Sequence, residues 1–359
     1  MSHETTVRIL LVGAGNLGRR FARIVADKHD ELARRYALDL QLIGVADSRG
    51  AAIDPGGLDG RAIEAIKLAH GSVADLPDVG RPAMTGLELI NAVEADVLCE
   101  AGPVNLEAGG EPGLSHVRRA LEIGLHVSTP NKGPIVLAYR GLRELAEKNE
   151  VSLRFDGTVA GGLPALALGM RDLRGATIER IDAVPNLTTG FVLDLLRAGA
   201  EWPDAIQQAR EAGALEGDGA WDLDGWDAAA KLAILAQAVL DVEVDLRSIP
   251  LEGIRNVDLE ALRSSDRPMR LLATAILQRD GSYRLNVAPT ELSSDHPLAA
   301  LGSNQMGITY QTDLFGTITS IIEEPTPVPS AATILRDLLD IHLKERSDAG
   351  TAPTPRPRP

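Results

Sequence analysis

Apolar positions along the first 150 residues follow two rhythms in turn. VRILLV, QLIGVAD (41–47), DVLCEAG (96–102) and LHVSTP are short apolar runs of the kind buried strands carry. After GAGNLG, the residues Leu17, Phe21, Ile24 and Val25 fall at i, i+4, i+7 and i+8, the stripe of a helix laid on a sheet. GLELINAVEAD and EPGLSHVRRALEIG repeat that helical spacing, the latter with Pro112 near its first turn and Gly124 at its end. GPIVLAYRGLRELAEKNE does so before the strand-like VSLRFDG. Such alternation predicts an α/β fold, a doubly wound parallel sheet of the Rossmann type. From about residue 157 the texture changes to glycine- and alanine-rich turns, then helices around 191–213 and 225–240. GITYQTD and GTITSII alternate as an antiparallel hairpin does, which points to a second, α+β domain. SAATILRDLLDIHL (330–343) predicts an amphipathic helix, and DAGTAPTPRPRP reads as a disordered tail. The expected boundaries are 1–155 with 326–345, then 156–325, then a tail over 346–359.

Composition narrows the class. A chain of 359 residues exceeds one compact unit of roughly 100–200 residues, so two domains are expected. It has no apolar run of about 18 residues, and MSHETTVRILLVG passes from a polar lead directly into a strand; neither a membrane partner nor a secretory signal is expected, and the location reads as cytoplasmic. The balance of 36 basic against 51 acidic residues, a net −15, argues against a nucleic-acid face. Cys99 is the only cysteine, which excludes an internal disulfide, and its apolar surroundings suit a buried structural thiol. Seven histidines show no metal-ligand spacing. The chain has six lysines, so the place of each carries information.

GAGNLG lies directly after a strand and opens a helix, the context in which a glycine loop cradles a dinucleotide. Gly13 permits the tight turn, Gly15 lets backbone approach a pyrophosphate, and Gly18 allows close packing, with Asn16 and Leu17 at the helix N-terminus. Residues 1–155 and 326–345 are accordingly read as the dinucleotide-binding domain. Asp47 ends the second strand, where a carboxylate hydrogen-bonds a ribose 2′-hydroxyl, while Arg49 suits a 2′-phosphate. NAD and NADP both stay open, with a lean to NAD.

Hydride transfer from an alcohol carbon needs a group that takes the hydroxyl proton. In DLDGWDAAAKLAILAQAVL, Asp224 reads as an N-cap and Asp227 as a capping-box partner. From Ala228 to Leu240 the polar residues are Lys231 and Gln237, so this helix is expected to be buried. An exposed Asp227–Lys231 pair is worth only about 0.2–0.5 kcal/mol, whereas burial disfavours a charged lysine and suits it to accept protons. Glu216 and Asp222 stand in the preceding loop, either as solvated turn residues or as a pocket for a cationic substrate group. Lys132, in STPNKGP, follows a strand at the carboxyl end of the sheet, where such folds bind ligands.

These segments together resemble homoserine dehydrogenase in its short form, without a C-terminal regulatory domain. VGAGNLGR is similar to the family's cofactor loop, EAGPVNLEAGGEPGLSHVRRALEIGLHVSTPNKGP to its Asn-Lys segment, which implies Asn131 at the cofactor, and EGDGAWDLDGWDAAAKLAIL to its substrate motif. The resemblance implies interconversion of L-homoserine and L-aspartate 4-semialdehyde, on the route to threonine and methionine. It implies Lys231 as proton acceptor and donor, Lys132 as a second catalytic or orienting lysine, and Glu216, Asp222 and Asp227 on the substrate ammonium or on Lys231. It places Thr188 at the substrate, a homodimer through the second domain, and Na⁺ or K⁺ at Asp156, Val159, Gly161 and Leu163. Three departures surround the reacting centre: Asp156 stands for the family's glutamate, Leu187 for a glycine, and Glu324-Pro325-Thr326-Pro327 for a glycine-rich loop. They keep open a relative acting on another small hydroxylated amino or carboxylic acid. A sugar dehydrogenase lacks a counterpart of DGWDAAAK, and a non-catalytic nucleotide sensor has no need of both lysines.

Overall fold

The computed structural model describes residues 4–215 and 219–350, with side chains to residue 345. The chain divides into two units. Residues up to 133, 140–155 and those from 330 onward make the first, and residues 134–139 and 156–329 the second. The short stretch 134–139, inside the first 155 residues, belongs to the second unit.

The first unit is built on β1 (Thr5–Val12), β2 (Leu38–Asp47), β5 (Val97–Glu100), β6 (His126–Ser128) and β7 (Leu153–Arg154), five strands parallel to one another. Helices α1 (Asn16–Tyr36), α3 (Gly86–Ala92), α4 (Gly113–Glu122) and α5 (Lys132–Lys148) connect them, and α2 (Gly60–Leu68) lies in the excursion after β2. The excursion also holds β3 (Gly50–Ile53) and β4 (Gly80–Pro82), which the sequence reading missed. They are short, glycine- and proline-bearing and antiparallel, and they extend the order to β4-β3-β2-β1-β5-β6-β7. The chain winds outward from β1 in one direction to β2 and in the other to β5. That reversal opens a crevice beyond the carboxyl ends of β1 and β5, where such sheets take ligands.

The C-terminal helix α12 (Val328–Gly350) belongs to this unit's core from residue 330. Ile334, Leu338 and Ile341 pack in one cluster with Ile9, Leu11, Phe21 and Cys99, which is why the amphipathic spacing was readable. The helix continues past position 346, where the sequence reading begins the tail. Its reason is chemical: no proline interrupts the chain between Pro329 and Pro353, and the intervening residues tolerate a helix. Residues 351–359 lie outside the described residues.

The second unit holds an antiparallel sheet in the order β10-β9-β8-β11-β12. Its strands are β8 (Ile178–Val184), β9 (Met269–Leu277), β10 (Tyr283–Glu291), β11 (Gln305–Thr312) and β12 (Gly316–Glu323). β11 and β12 form the expected hairpin. Its helices are α6 (Ala165–Ala167), α7 (Leu187–Arg197), α8 (Trp202–Glu211), α9 (Ala220–Leu223), α10 (Trp226–Val239) and α11 (Leu259–Ser264). Both α7 and α10 pack on β9. Every residue from Asp227 to Ala236 is buried, so α10 is a core helix apolar nearly all round.

Candidate active site

The glycine loop folds as a turn that side chains would obstruct, except at one position. Gly13 has φ +98° and its main chain lies against Ala101 and Gly102 at the end of β5, so a Cβ has no room. Gly18 packs equally tightly on the Gly13 carbonyl. A Cβ on Gly15, by contrast, would meet nothing within 4 Å. That open space stands at the N-terminus of α1, which Gly15 caps without any side-chain bond and at which Asn16 and Leu17 begin the helix. Unshielded N–H groups and the positive end of the helix dipole face it, an arrangement that fits a dinucleotide pyrophosphate.

Asp47 ends β2 beside this loop's strand, and its carboxylate is fully engaged. Oδ1 accepts from Arg49 N at 2.9 Å and Ser72 Oγ at 2.8 Å, while Oδ2 accepts from Lys67 Nζ at 2.6 Å and Val73 N at 3.0 Å. Burial pushes this carboxyl up, but the Lys67 ammonium and the surrounding N–H donors outweigh it and hold the group below the usual range. A carboxylate offers about four lone-pair sites, so four donors leave little capacity for a ribose hydroxyl. Arg49 keeps an exposed guanidinium, which donates to the His70 carbonyl at 3.1 Å. Lys67, Ser72 and Val73 were missed from sequence; the scarcity of lysines was the one available signal.

Between β6 and α5, Thr129 Oγ1 donates to the Glu100 carbonyl at 2.8 Å and accepts from Asn131 N at 3.0 Å. Asn131 is buried, caps α5 by accepting Gly133 N at 3.0 Å, and donates to the Pro103 carbonyl at 3.3 Å. The residue expected at the cofactor thus ties two loops together at the carboxyl end of the sheet. Lys132, the first residue of α5, emerges half-buried from that anchored turn. Cys99, on β5, is fully buried, and desolvation raises its thiol well above the ordinary range, with Asp337 adding to the effect.

In the second unit, Lys231 Nζ donates to Asp227 Oδ2 at 2.7 Å and to the Pro185 carbonyl at 2.6 Å. The pair is the i, i+4 contact of a helix, yet both side chains are about nine-tenths buried, at 11% and 8% exposed. Asn186, between β8 and α7, donates through Nδ2 to Asp222 Oδ1 at 2.7 Å and to Asp227 Oδ2 at 2.6 Å. Asp222, Asp227 and Lys231 are thereby one connected cluster. Asn186 and the Pro185 carbonyl were missed as members of it. Thr188 spends its hydroxyl on the Ala214 carbonyl at 2.6 Å, leaving its main chain in the first turn of α7, which Leu187 opens. Glu216 lies outside the described residues.

The capping expected of Asp224 is not found. Gly225, with φ +87°, precedes α10 instead, and Asp224 closes α9 in a helical conformation and pairs with Arg255 Nε at 2.5 Å. A residue held in helical dihedrals cannot adopt the extended backbone of an N-cap, and Asp227 is drawn to Lys231 rather than back to a cap. Trp221 and Trp226 stack across this turn at 5.9 Å.

The proposed cation turn begins at Asp156, a buried carboxylate whose Oδ1 accepts Ala167 N at 3.3 Å. Tyr310, whose hydroxyl donates to the Ala165 carbonyl at 2.9 Å, is raised in pKa mainly by burial and further by the Asp156 charge. Val159 and Leu163 are buried, and Gly161 lies in the left-handed region at φ +57°. Glu324, which opens the departing Pro325–Pro327 loop, accepts Gly162 N at 3.0 Å and so pins the same turn. Among the described residues no cluster of three His, Cys, Asp or Glu side chains could hold a metal.

Comparison with known proteins agrees along nearly the whole chain. Residues 13–156 match the family profile described as homoserine dehydrogenase, NAD binding domain, and residues 164–339 the profile described as homoserine dehydrogenase. The NAD(+)-dependent homoserine dehydrogenase of Pseudomonas canavaninivorans is 31% identical over 342 residues, covering 94% of this chain and 97% of that protein. The homoserine dehydrogenase of Methanocaldococcus jannaschii is 33% identical, covering 93% and 98%. Among solved structures, a hyperthermophilic archaeal homoserine dehydrogenase in complex with NADPH superimposes with a TM-score of 0.81 at 28% identity, covering 95% of this chain and 98% of that one. Homoserine dehydrogenase from Thermoplasma acidophilum gives 0.81 at 25% identity, covering 95% and 100%. The chain belongs to the homoserine dehydrogenase family.

Proposed function

We propose that this NAD(P)-dependent oxidoreductase interconverts L-homoserine and L-aspartate 4-semialdehyde, with Lys231 as the proton acceptor and donor. The observation that carries the role is the buried Lys231 Nζ, held at 2.7 Å by Asp227 and at 2.6 Å by the Pro185 carbonyl. When the alcohol is oxidised, its carbon gives up a hydride, its hydroxyl proton passes to the Lys231 amine, and the C–O single bond becomes a carbonyl. In the reverse direction the Lys231 ammonium returns that proton to the forming alkoxide. The nicotinamide supplies the hydride acceptor and donor. Asp222, and by resemblance Glu216, hold the substrate ammonium, while the first turn of α7 at Thr188 suits the substrate carboxylate. Lys132 is assigned as the second, orienting lysine.

The engaged state of Asp47 supports acceptance of both dinucleotides. Its acceptor sites are filled and its charge is countered by Lys67, so the usual discrimination against a 2′-phosphate is weakened, and Arg49 stands two residues on. Arg49→Ala is expected to raise the NADP KM by ~10-fold or more while leaving NAD nearly unchanged. We further assign a homodimer, supported by exposed Leu314, Phe315 and Ile321 on the β11–β12 hairpin. Na⁺ or K⁺ at Asp156, Val159, Gly161 and Leu163 is assigned by resemblance to the family, with the buried Asp156 carboxylate in its support. A cytoplasmic location is assigned by resemblance to the family; separately, no helix among the described residues is long and apolar enough to cross a membrane.

The test is to incubate purified protein with NAD⁺ or NADP⁺ and a panel of hydroxylated amino and carboxylic acids, following the reduced-nicotinamide absorbance. Turnover of L-homoserine above every other compound is expected. Turnover of another acid with homoserine inert overturns the substrate assignment.

A further inference from the structure

One amide serves two tasks at the junction of β8 and α7. Asn186 Oδ1 accepts Thr189 N at 3.1 Å, capping α7, while Nδ2 directs its two hydrogens at Asp222 Oδ1 and Asp227 Oδ2, at 2.7 and 2.6 Å. The second acceptor is the same oxygen that receives Lys231 Nζ. The residue before it, Pro185, gives its carbonyl to the same ammonium at 2.6 Å. Two successive residues therefore hold both ends of the Asp227–Lys231 pair, and proline's fixed φ stiffens the first of them. Two carboxylates brought to a common point repel one another. A cation between them would relieve the repulsion but would also compete with the substrate ammonium and with Lys231. A neutral amide with two donors holds both carboxylates and leaves their charge intact.

We propose that Asn186 is a positioning residue: it sets Asp222 and Asp227 in register and, through Asp227, aims Lys231 for proton transfer. The proposal rests on Lys231 being the acid/base group. Asn186→Asp separates positioning from capping, because aspartate caps helices as well as asparagine does and has nearly the same size. When ionised it has no donor, and it would set a third carboxylate against the other two. Homoserine kcat/KM is expected to fall ~10²-fold or more, with most of the loss in kcat. The NADP KM and the NADPH Kd, read by fluorescence, are expected to stay within about twofold of the parent. Asn186→Ser keeps a capping oxygen but has one short donor that cannot span both carboxylates; a loss of ~10-fold is expected, and this variant decides the matter should the aspartate variant fail to bind NADPH. Lys231→Met is assayed alongside. If it is inactive while both Asn186 variants keep more than about a third of parental kcat/KM, Asn186 is a helix cap and the proposal is overturned. If Lys231→Met stays active, the acid/base assignment fails first and takes the proposal with it.

Discussion

Replacing Lys231 with methionine removes the ammonium while keeping an unbranched side chain of similar length. In the structure this deletes two short hydrogen bonds, to Asp227 Oδ2 at 2.7 Å and the Pro185 carbonyl at 2.6 Å. Each bond to a charged group is worth about 1.5–3 kcal/mol. Against that, a buried ammonium carries a desolvation cost of several kcal/mol, which methionine does not have. Asp227 also keeps its bond from Asn186 at 2.6 Å. These terms nearly cancel, so the stability of Lys231→Met should change by no more than about 2 kcal/mol. Asp227→Leu differs in kind, since it leaves the ammonium buried without its counter-ion, at a cost of about 3–5 kcal/mol. Catalysis follows the opposite order of sensitivity. Loss of the proton acceptor should lower kcat by ~10²–10⁴-fold, equivalent to about 3–5 kcal/mol in the barrier. Initial rates at the reduced-nicotinamide band, NADPH Kd by fluorescence and Tm by scanning calorimetry measure the three effects separately. A Lys231→Met protein that keeps more than about a tenth of kcat refutes the assignment, as does one whose NADPH binding is lost in parallel with its rate.

Asp47→Asn should lower Tm at neutral pH, because Lys67 and three other donors hold the native carboxyl below its usual pKa. A depressed native pKa stabilises the fold above the unfolded value of about 4 and loses that contribution as pH falls through the native pKa. The Tm gap between parent and variant should therefore be full at pH 7 and close below about pH 4; a gap that persists in acid contradicts the ion-pair account. Cys99 is buried and its thiol is raised by desolvation, so it should resist an aromatic disulfide reagent in the native protein and react after denaturation. Stoichiometric reaction in the native state would show that β5 opens.

Much of the fold was legible because its signals are local. Period-two and helical spacing, glycine at the turn after β1 and the apolar run around Lys231 are properties of neighbouring residues, and they place β1, α1, β5, α10 and α12 without tertiary information. The burial of Lys231 followed from its own helix. Partnerships of distant side chains were not legible. Asn186 meets Asp222 and Asp227 from 36 and 41 residues away, and Asp47 meets Lys67 and Ser72 across 20 and 25. Asp224, read from its neighbours as a cap, is instead turned toward Arg255 across 31 residues. Short antiparallel β3 and β4 likewise depend on an edge that β2 offers rather than on their own composition. The sequence by itself determined which segments are helix, strand and glycine turn, since backbone sterics and apolar period act within a few residues. Only the tertiary structure decided that Asn186 ties Asp222 to the Asp227–Lys231 pair and that Asp224 turns to Arg255, because those contacts depend on the register and packing that bring distant donors within hydrogen-bond reach.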